Sequence, residues 1–181
     1  MEDGKFVKVR LTRGQWALVD LEDYQRVKKY SWQAKTDGIL TKGYRAQGCV
    51  DGKLTYMHRF ILGDQVRKGL QVDHINHNTL DNRRSNLRIC NQNQNQWNKM
   101  SHSGRDCKGV FFEKRTKHWQ AKIQTGKPSK TLWSKTYKTK QEAMDGYDEM
   151  ATKLFGDFAL TNEKIKNLAI RTAGALGERE I

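Results

Sequence analysis

Apolar and polar residues follow two rhythms along this chain, and each marks a kind of element. In FVKVRL (6–11) every second residue is apolar, the period of a half-buried strand. WALVD (16–20) is a second short apolar run, and YSWQAK, GYRAQGCV and LTYMHRFIL continue the series as strands. They are divided by TDGILTKG and DGK, whose Asp-Gly pairs are turn signals. Within LEDYQRVKKY the spacing changes: Tyr24, Val27 and Tyr30 form a helical stripe behind Asp20, a residue type that caps helices. Residues 1–57 therefore predict a β-rich support region with one helix.

The alternation returns in HWQAKIQ (118–124), where Trp119, Ala121 and Ile123 face one way and His118, Gln120, Lys122 and Gln124 the other. TLWSKTY (131–137) is also β-rich. A helix follows, opened by Thr139 and Glu142 at capping-box spacing and closed near Gly156. Its buried stripe is Ala143, Tyr147, Met150, Ala151 and Leu154. Residues 101–162 predict a three-stranded antiparallel sheet packed on one helix, with one basic face left free. A small, polar seam, MSHSGRDCKG (100–109), precedes that unit, and 163–181 reads as a tail, weakly helical and then broken by glycine. The fold class expected is α+β.

Between these regions lies QVDHINHNTLDNRRSNLRICNQNQNQWNK (71–99), with eight Asn. Amide-rich tracts are usually disordered, but apolar residues interrupt this one in a regular way. Leu70 and Val72 share one face of a short strand, Leu87 and Ile89 one face of another, and NTLDNRRSN between them is rich in Asx-turn formers. Asn91 then stands at a helix start with Gln94 three residues on, and Trp97 can anchor that helix. Strand, loop, strand, helix is the pattern expected for 58–100.

Charge directs attention to a polyanion. The chain carries 34 Lys and Arg against 20 Asp and Glu, a net charge of +14, with a pI near 9.8, and nucleic acid is the first partner such a balance suggests. Residues 101–138 hold ten Lys or Arg against two acids, a net of +8, whereas 139–162 have a net of −3. No segment has the roughly 18 consecutive apolar residues of a membrane helix, and the start lacks a signal-peptide core, so the cytoplasm is the expected compartment. Cys49, Cys90 and Cys107 are odd in number and far apart, which supports neither a disulfide framework nor a zinc ribbon.

The polar stretch also holds chemistry. Asp73 and His74 are neighbours on a strand, so their side chains diverge: a carboxylate can bind a hard cation while the imidazole reaches another atom. Asn95, one turn into the helix, can offer an amide oxygen to the same cation. Oxygen ligands that leave positions open suit Mg²⁺, and a neutral imidazole beside them can take a proton from water. Together these describe phosphodiester hydrolysis.

VDHINHNTLDNRRSNLRICNQNQNQWN resembles the HNH endonuclease motif, the ββα-metal finger, in the form found in phage and intron-encoded homing endonucleases. The matched features are Asp-His ending the first strand, Asn86 before the Leu-Arg of the second, and Asn95 on the helix. MHRFIL (57–62) is similar to the segment that precedes the motif there. The resemblance implies catalytic roles for His74, as general base, and for Asn86, holding the loop and orienting the His74 ring. It makes Asp73 and Asn95 the ligands of Mg²⁺, with Mn²⁺ as substitute. His77 stands where relatives commonly have Gly, as a bystander, a DNA contact or an extra ligand; His58 and Arg59 either support the site, contact phosphate or pack beside it.

KGVFFEKRTKHWQAKI and TLWSKTYKTKQEAMDGYDEMATKLFGDFALTN look like the APETALA-type, or ethylene-response-factor, DNA-binding domain. That resemblance implies DNA-facing positions at or near Arg115, Lys117, Lys122, Gln124, Thr131, Trp133 and Lys135, with Trp133 equally suited to the core. Phe111 and Glu113 stand where the plant domains have Arg, so the plant target does not carry over. The function expected is a sequence-specific endonuclease of double-stranded DNA, acting as a monomer that nicks or as a homodimer. The alternative is a non-catalytic DNA-binding regulator that keeps the finger as a scaffold.

Overall fold

A computed structural model describes residues 5–36, 43–100, 106–125 and 129–177, with side chains to Ile170. The Asp-Gly turn expected at 37–38 and the seam residues 101–105 lie outside the described residues. The chain divides into two compact units, Met1–Gln92 and Asn93–Ile181. No helix is long and apolar enough to cross a membrane among the described residues.

In the first unit the alternating runs pair as an antiparallel hairpin, β1 (Phe6–Arg10) and β2 (Trp16–Asp20), with Val7 opposite Val19 and Val9 opposite Ala17. Helix α1 (Leu21–Val27) follows directly. Asp20 occupies its N-cap position but makes no capping bond; its carboxylate instead accepts from the Arg84 backbone N–H at 2.7 Å. Strands β3 (Trp32–Thr36), β4 (Tyr44–Val50) and β5 (Lys53–Tyr56) form an antiparallel sheet in the order β3-β4-β5. Gly48 is required there, since a Cβ would lie 2.6 Å from the Ser31 carbonyl and 2.9 Å from the Trp32 ring.

MHRFIL departs from the expected strand and forms helix α2 (Met57–Leu62). Met57, His58, Ile61 and Leu62 are buried, a spacing that fits one helical face. Val19, Val27, Met57 and Ile61 are fully or almost fully buried in one core with Ala17, Trp32 and Leu87. Burying each large apolar side chain contributes about 1.5–3 kcal/mol relative to exposure. Strands β6 (Gln71–His74) and β7 (Leu87–Cys90) pair antiparallel, with Asp73 opposite Arg88 and His74 opposite Leu87.

The second unit begins in helix α3 (Gln92–Trp97). Its sheet is β8 (Val110–Glu113), β9 (His118–Thr125) and β10 (Lys130–Tyr137), antiparallel with β9 in the centre. Helix α4 (Lys140–Phe155) starts with the expected capping box, Thr139 and Glu142 each bonding the other's backbone N–H. Ala143, Tyr147 and Ala151 meet Val110, Ala121 and Ile123 in the core, whereas Leu154 of the expected stripe is exposed. Gly109 has φ +67°, and a Cβ there would collide with the Tyr147 ring.

Two further differences concern the ends of this unit. The tail, expected to be weakly helical and then broken by glycine, forms one helix, α5 (Asn162–Gly177), whose start is capped by Asp148: its carboxylate accepts from the backbone N–H groups of Asn162 at 2.6 Å and Glu163 at 3.0 Å. In β10 the pairing slips between Thr131, opposite Gln124, and Trp133, opposite Ile123. This bulge sends Thr131 to the free face and Trp133 to the helix side.

Candidate active site

Asp73 and His74 end β6, 8% and 6% exposed. Across the strand pair Arg88 donates to Oδ2 of Asp73 twice, from Nε at 2.8 Å and Nη2 at 2.7 Å. A guanidinium on the facing strand thus pairs with this buried carboxylate.

Asn82 and His58 are neighbours of the His74 ring. Its Nε2 lies 3.4 Å from Oδ1 of Asn82, and it packs edge-on with His58, centroids 5.2 Å apart at 87°; Tyr56 in turn stacks on His58 at 5.5 Å. Burial pulls the His74 pKa below its ordinary value; the Asn82 contact opposes this, the Arg45 charge adds to it, and Asp73 and Asp81 oppose it. The ring is therefore neutral at pH 7, as a proton acceptor must be. His58 is pushed down to about 3, by burial first and then by the neighbouring charges of His74, Arg45 and Arg59.

Asn86 serves the loop, not the ring. Its Oδ1 accepts from the Asn76 N–H at 2.9 Å, its Nδ2 donates to the Asp81 carbonyl at 2.7 Å, and its own carbonyl accepts from Ile75 N–H at 2.9 Å. The expectation that Asn86 orients the imidazole is corrected here: the ring's amide partner is Asn82, which sequence reasoning did not single out. Asn76 and Asn78 close successive Asx turns onto the N–H groups of Asn78 and Leu80. His77 takes φ +62°, a left-handed conformation that accounts for glycine being the residue expected at that position.

The loop is fastened to the N-terminal elements. Leu18 N–H donates to the Leu80 carbonyl and Asn82 N–H to the Leu18 carbonyl, both at 2.8 Å, so β2 gains a short parallel bridge. Arg84 donates to Asp23 from Nε at 2.7 Å and Nη2 at 2.9 Å, and Arg26 donates to the same carboxylate at 2.6 Å. Asp20, Glu22 and Asp23 are the one group of three such acids close enough to share a cation among the described residues, but arginines engage this cluster and make it a salt-bridge network. Arg59, for its part, donates to the Leu70 carbonyl at 2.8 Å.

In the second unit Asn95 sits half-buried on α3. That helix is anchored by Trp97, stacked on Phe155 at 4.3 Å, and by Lys108, whose Nζ donates to the Trp97 carbonyl at 2.5 Å. Burial lowers the Lys108 pKa to about 8. On the sheet, register places Gln120, Lys122 and Gln124 of β9 with Thr131, Ser134 and Thr136 of β10 on the face away from α4. Arg115 and Lys117 lie in the exposed turn beside it. Trp133 packs against the core, and Lys135, opposite Ala121, follows it to that side. The free face is thus richer in amides and hydroxyls than in cations along its strands, a correction to the basic face expected.

Paired strands, an Asp-His dipeptide at the end of the first, and an amide-clasped loop together make a nuclease finger. Residues 57–97 match the HNH endonuclease family. An uncharacterized HNH endonuclease of Acanthamoeba polyphaga mimivirus is 33% identical over 155 residues, covering 83% of this chain and 76% of that protein. No solved structure matches the chain. The chain belongs to the HNH endonuclease family and is a DNA endonuclease.

Proposed function

We propose that this protein is a homing-type, sequence-specific endonuclease that hydrolyses one phosphodiester bond per monomer, with His74 as general base. The observation that carries the reading is His74 itself: buried, neutral, bonded to an amide oxygen and adjacent to a carboxylate, inside the segment that matches the family. His74 takes the proton of a water that attacks the scissile phosphorus. Asn86 keeps the loop beside it closed.

A divalent cation is the group this family implies, and the donor types fit one. Asp73 offers carboxylate oxygen and Asn95 amide oxygen, hard donors that suit Mg²⁺ or Mn²⁺. Such a cation, when bound, would neutralise phosphate charge and stabilise the departing 3′ oxygen. The ends produced would be a 5′-phosphate and a 3′-hydroxyl. Cleaving both strands would take a second monomer or a second encounter.

The second unit, on this proposal, is an APETALA-type reader of double-stranded DNA. A three-stranded sheet backed by one helix supports it, as does a free face carrying Lys122, Gln124 and Thr131 with Arg115 and Lys117 at its end. Trp133 and Lys135 then act from the helix side, Trp133 by fixing the sheet. The viral relative supports a setting in an infected cell's cytoplasm.

Supercoiled plasmid bearing the target tests the proposal. Nicked circles should form with Mg²⁺ or Mn²⁺ and not with EDTA, and Asp73→Ala should need far more Mg²⁺ for the same rate. Tight DNA binding without nicks under either metal would leave the regulator reading in its place.

A further inference from the structure

The sheet face turned away from α4 is ordered across its strands as well as along them. Gln120 stands opposite Thr136 and Gln124 opposite Thr131, while Lys122, midway between the glutamines, stands opposite Ser134. Phe111 of β8 flanks Gln120 on its other side. An amide beside a threonine thus occurs twice, with a cation between.

The bulge in β10 creates the second of these pairs. Unbroken alternation back from Thr136 and Ser134 would bring Leu132 to this face; the slip between Thr131 and Trp133 passes over Leu132 and sets Thr131 against Gln124. The amide engages its neighbour, since Nε2 of Gln124 donates to Oγ1 of Thr131 at 3.5 Å. A primary amide has two N–H donors, so the second, together with Oε1, presents a donor and an acceptor side by side.

An adenine edge in the major groove requires that combination: its N7 accepts and its 6-amino group donates. The thymine paired with it shows a methyl group, which suits the methyl of threonine or the ring of Phe111. Neighbouring strands lie about 4.8 Å apart, close enough for a glutamine and its threonine to meet the two bases of one pair. Along β9 the four residues from Gln120 to Gln124 rise about 3.4 Å each, roughly 14 Å in all, which matches about three to four base steps. The net +8 of residues 101–138 attracts DNA of any sequence; neutral amides add nothing to that attraction, and their contribution is discrimination between bases.

We infer that Gln120 and Gln124 determine specificity: each reads the adenine of an A·T pair from the major groove, the two pairs about three to four steps apart, with Thr136 and Thr131 beside the thymine methyls. The inference rests on the reading of the second unit as a DNA reader and names the bases it selects.

The test uses the full chain in EDTA, so that bound duplexes stay intact, and a pool of duplexes with a randomised segment. Wild-type protein should enrich two A·T pairs at that spacing, and 7-deaza-adenine at either should weaken binding. Gln124→Ala should relax one of the two positions, Gln120→Ala the other, each lowering affinity for the enriched duplex by about 5- to 150-fold. Gln124→Glu should exchange adenine for cytosine at its position, because a carboxylate accepts from the cytosine 4-amino group. Enriched duplexes without two such A·T pairs would overturn the inference, as would glutamine variants that melt like wild type and enrich the same bases. Lys122→Ala separates the two levels. If the sheet reads DNA and only the base assignment is wrong, this variant binds more weakly while the glutamine variants select as wild type does; if the sheet is not the reader, all three variants keep wild-type binding, selection and salt dependence.

Discussion

Replacing His74 with alanine should slow the nicking of supercoiled DNA by about 10²- to 10⁴-fold, the usual contribution of a positioned general base, while leaving DNA affinity unchanged. The ring is buried, and its depressed pKa keeps it neutral at the pH of the reaction. No neighbour can replace it efficiently. His58 is the nearest other imidazole described, but at about 3 its pKa makes it a far weaker proton acceptor. Truncation leaves a small cavity beside His58, so thermal melting of the variant separates lost chemistry from lost folding. A variant that binds and nicks at the wild-type rate would refute the assignment of His74.

Asp23→Ala should destabilise the first unit substantially although Asp23 takes no part in the chemistry. Asp23 is 2% exposed and accepts three hydrogen bonds from two arginines. Breaking a buried ion pair costs roughly 3–5 kcal/mol; here Arg84 is about a third exposed and Arg26 about half, and their rehydration reduces the loss to about 2–3 kcal/mol. For a unit of this size that lowers its melting temperature by about 8–24 °C.

The same carboxylate predicts an acid limit. Burial pushes the Asp23 pKa up, but the hydrogen bonds and charges of Arg84 and Arg26 outweigh it and hold the pKa below the ordinary 3.8. A carboxylate lowered on folding contributes stability above its unfolded pKa and loses it as pH falls through the folded one. Asp81, lowered by Arg83 against its own burial, adds in the same direction. Melting followed from pH 6 downward should fall off steeply below the ordinary carboxylate pKa in the wild type and more gently in Asp23→Asn. Parallel curves would show that Asp23 does not set the acid limit.

What could be read from the chain alone was whatever is local. Thr139 and Glu142 lie three residues apart, and their mutual bonds need nothing beyond one helical turn. The strand alternation in 118–124 likewise emerged as β9. MHRFIL was ambiguous because six mostly apolar residues suit either period, and packing of Met57 and Ile61 decided for a helix. Trp133 suited either the DNA-facing side or the core, and one unpaired residue decided for the core: two positions from Thr131 it would share that residue's face, but the bulge reverses the parity.

The partner of His74 was beyond local reasoning for another cause. Asn82 reaches the ring because β2, some sixty residues earlier, bridges to the loop through Leu18. Asp20, a plausible cap by its position, is drawn away to Arg84 by the same docking. Such pairings cross the chain and leave no periodic trace. Asp73, His74 and Asn86 stand out in the sequence because their relative spacing is itself a pattern; Arg88 and Asn82 have no such spacing to mark them.

The three cysteines do not share one environment. Cys90 and Cys107 are buried, and burial pushes the Cys90 thiol up to about 11, while Cys49 on β4 is exposed. Thiolate and access together govern reaction with electrophiles. Of the three, Cys49 is thus the native handle for a maleimide dye, a means of following this endonuclease on single DNA molecules without engineering a thiol into it.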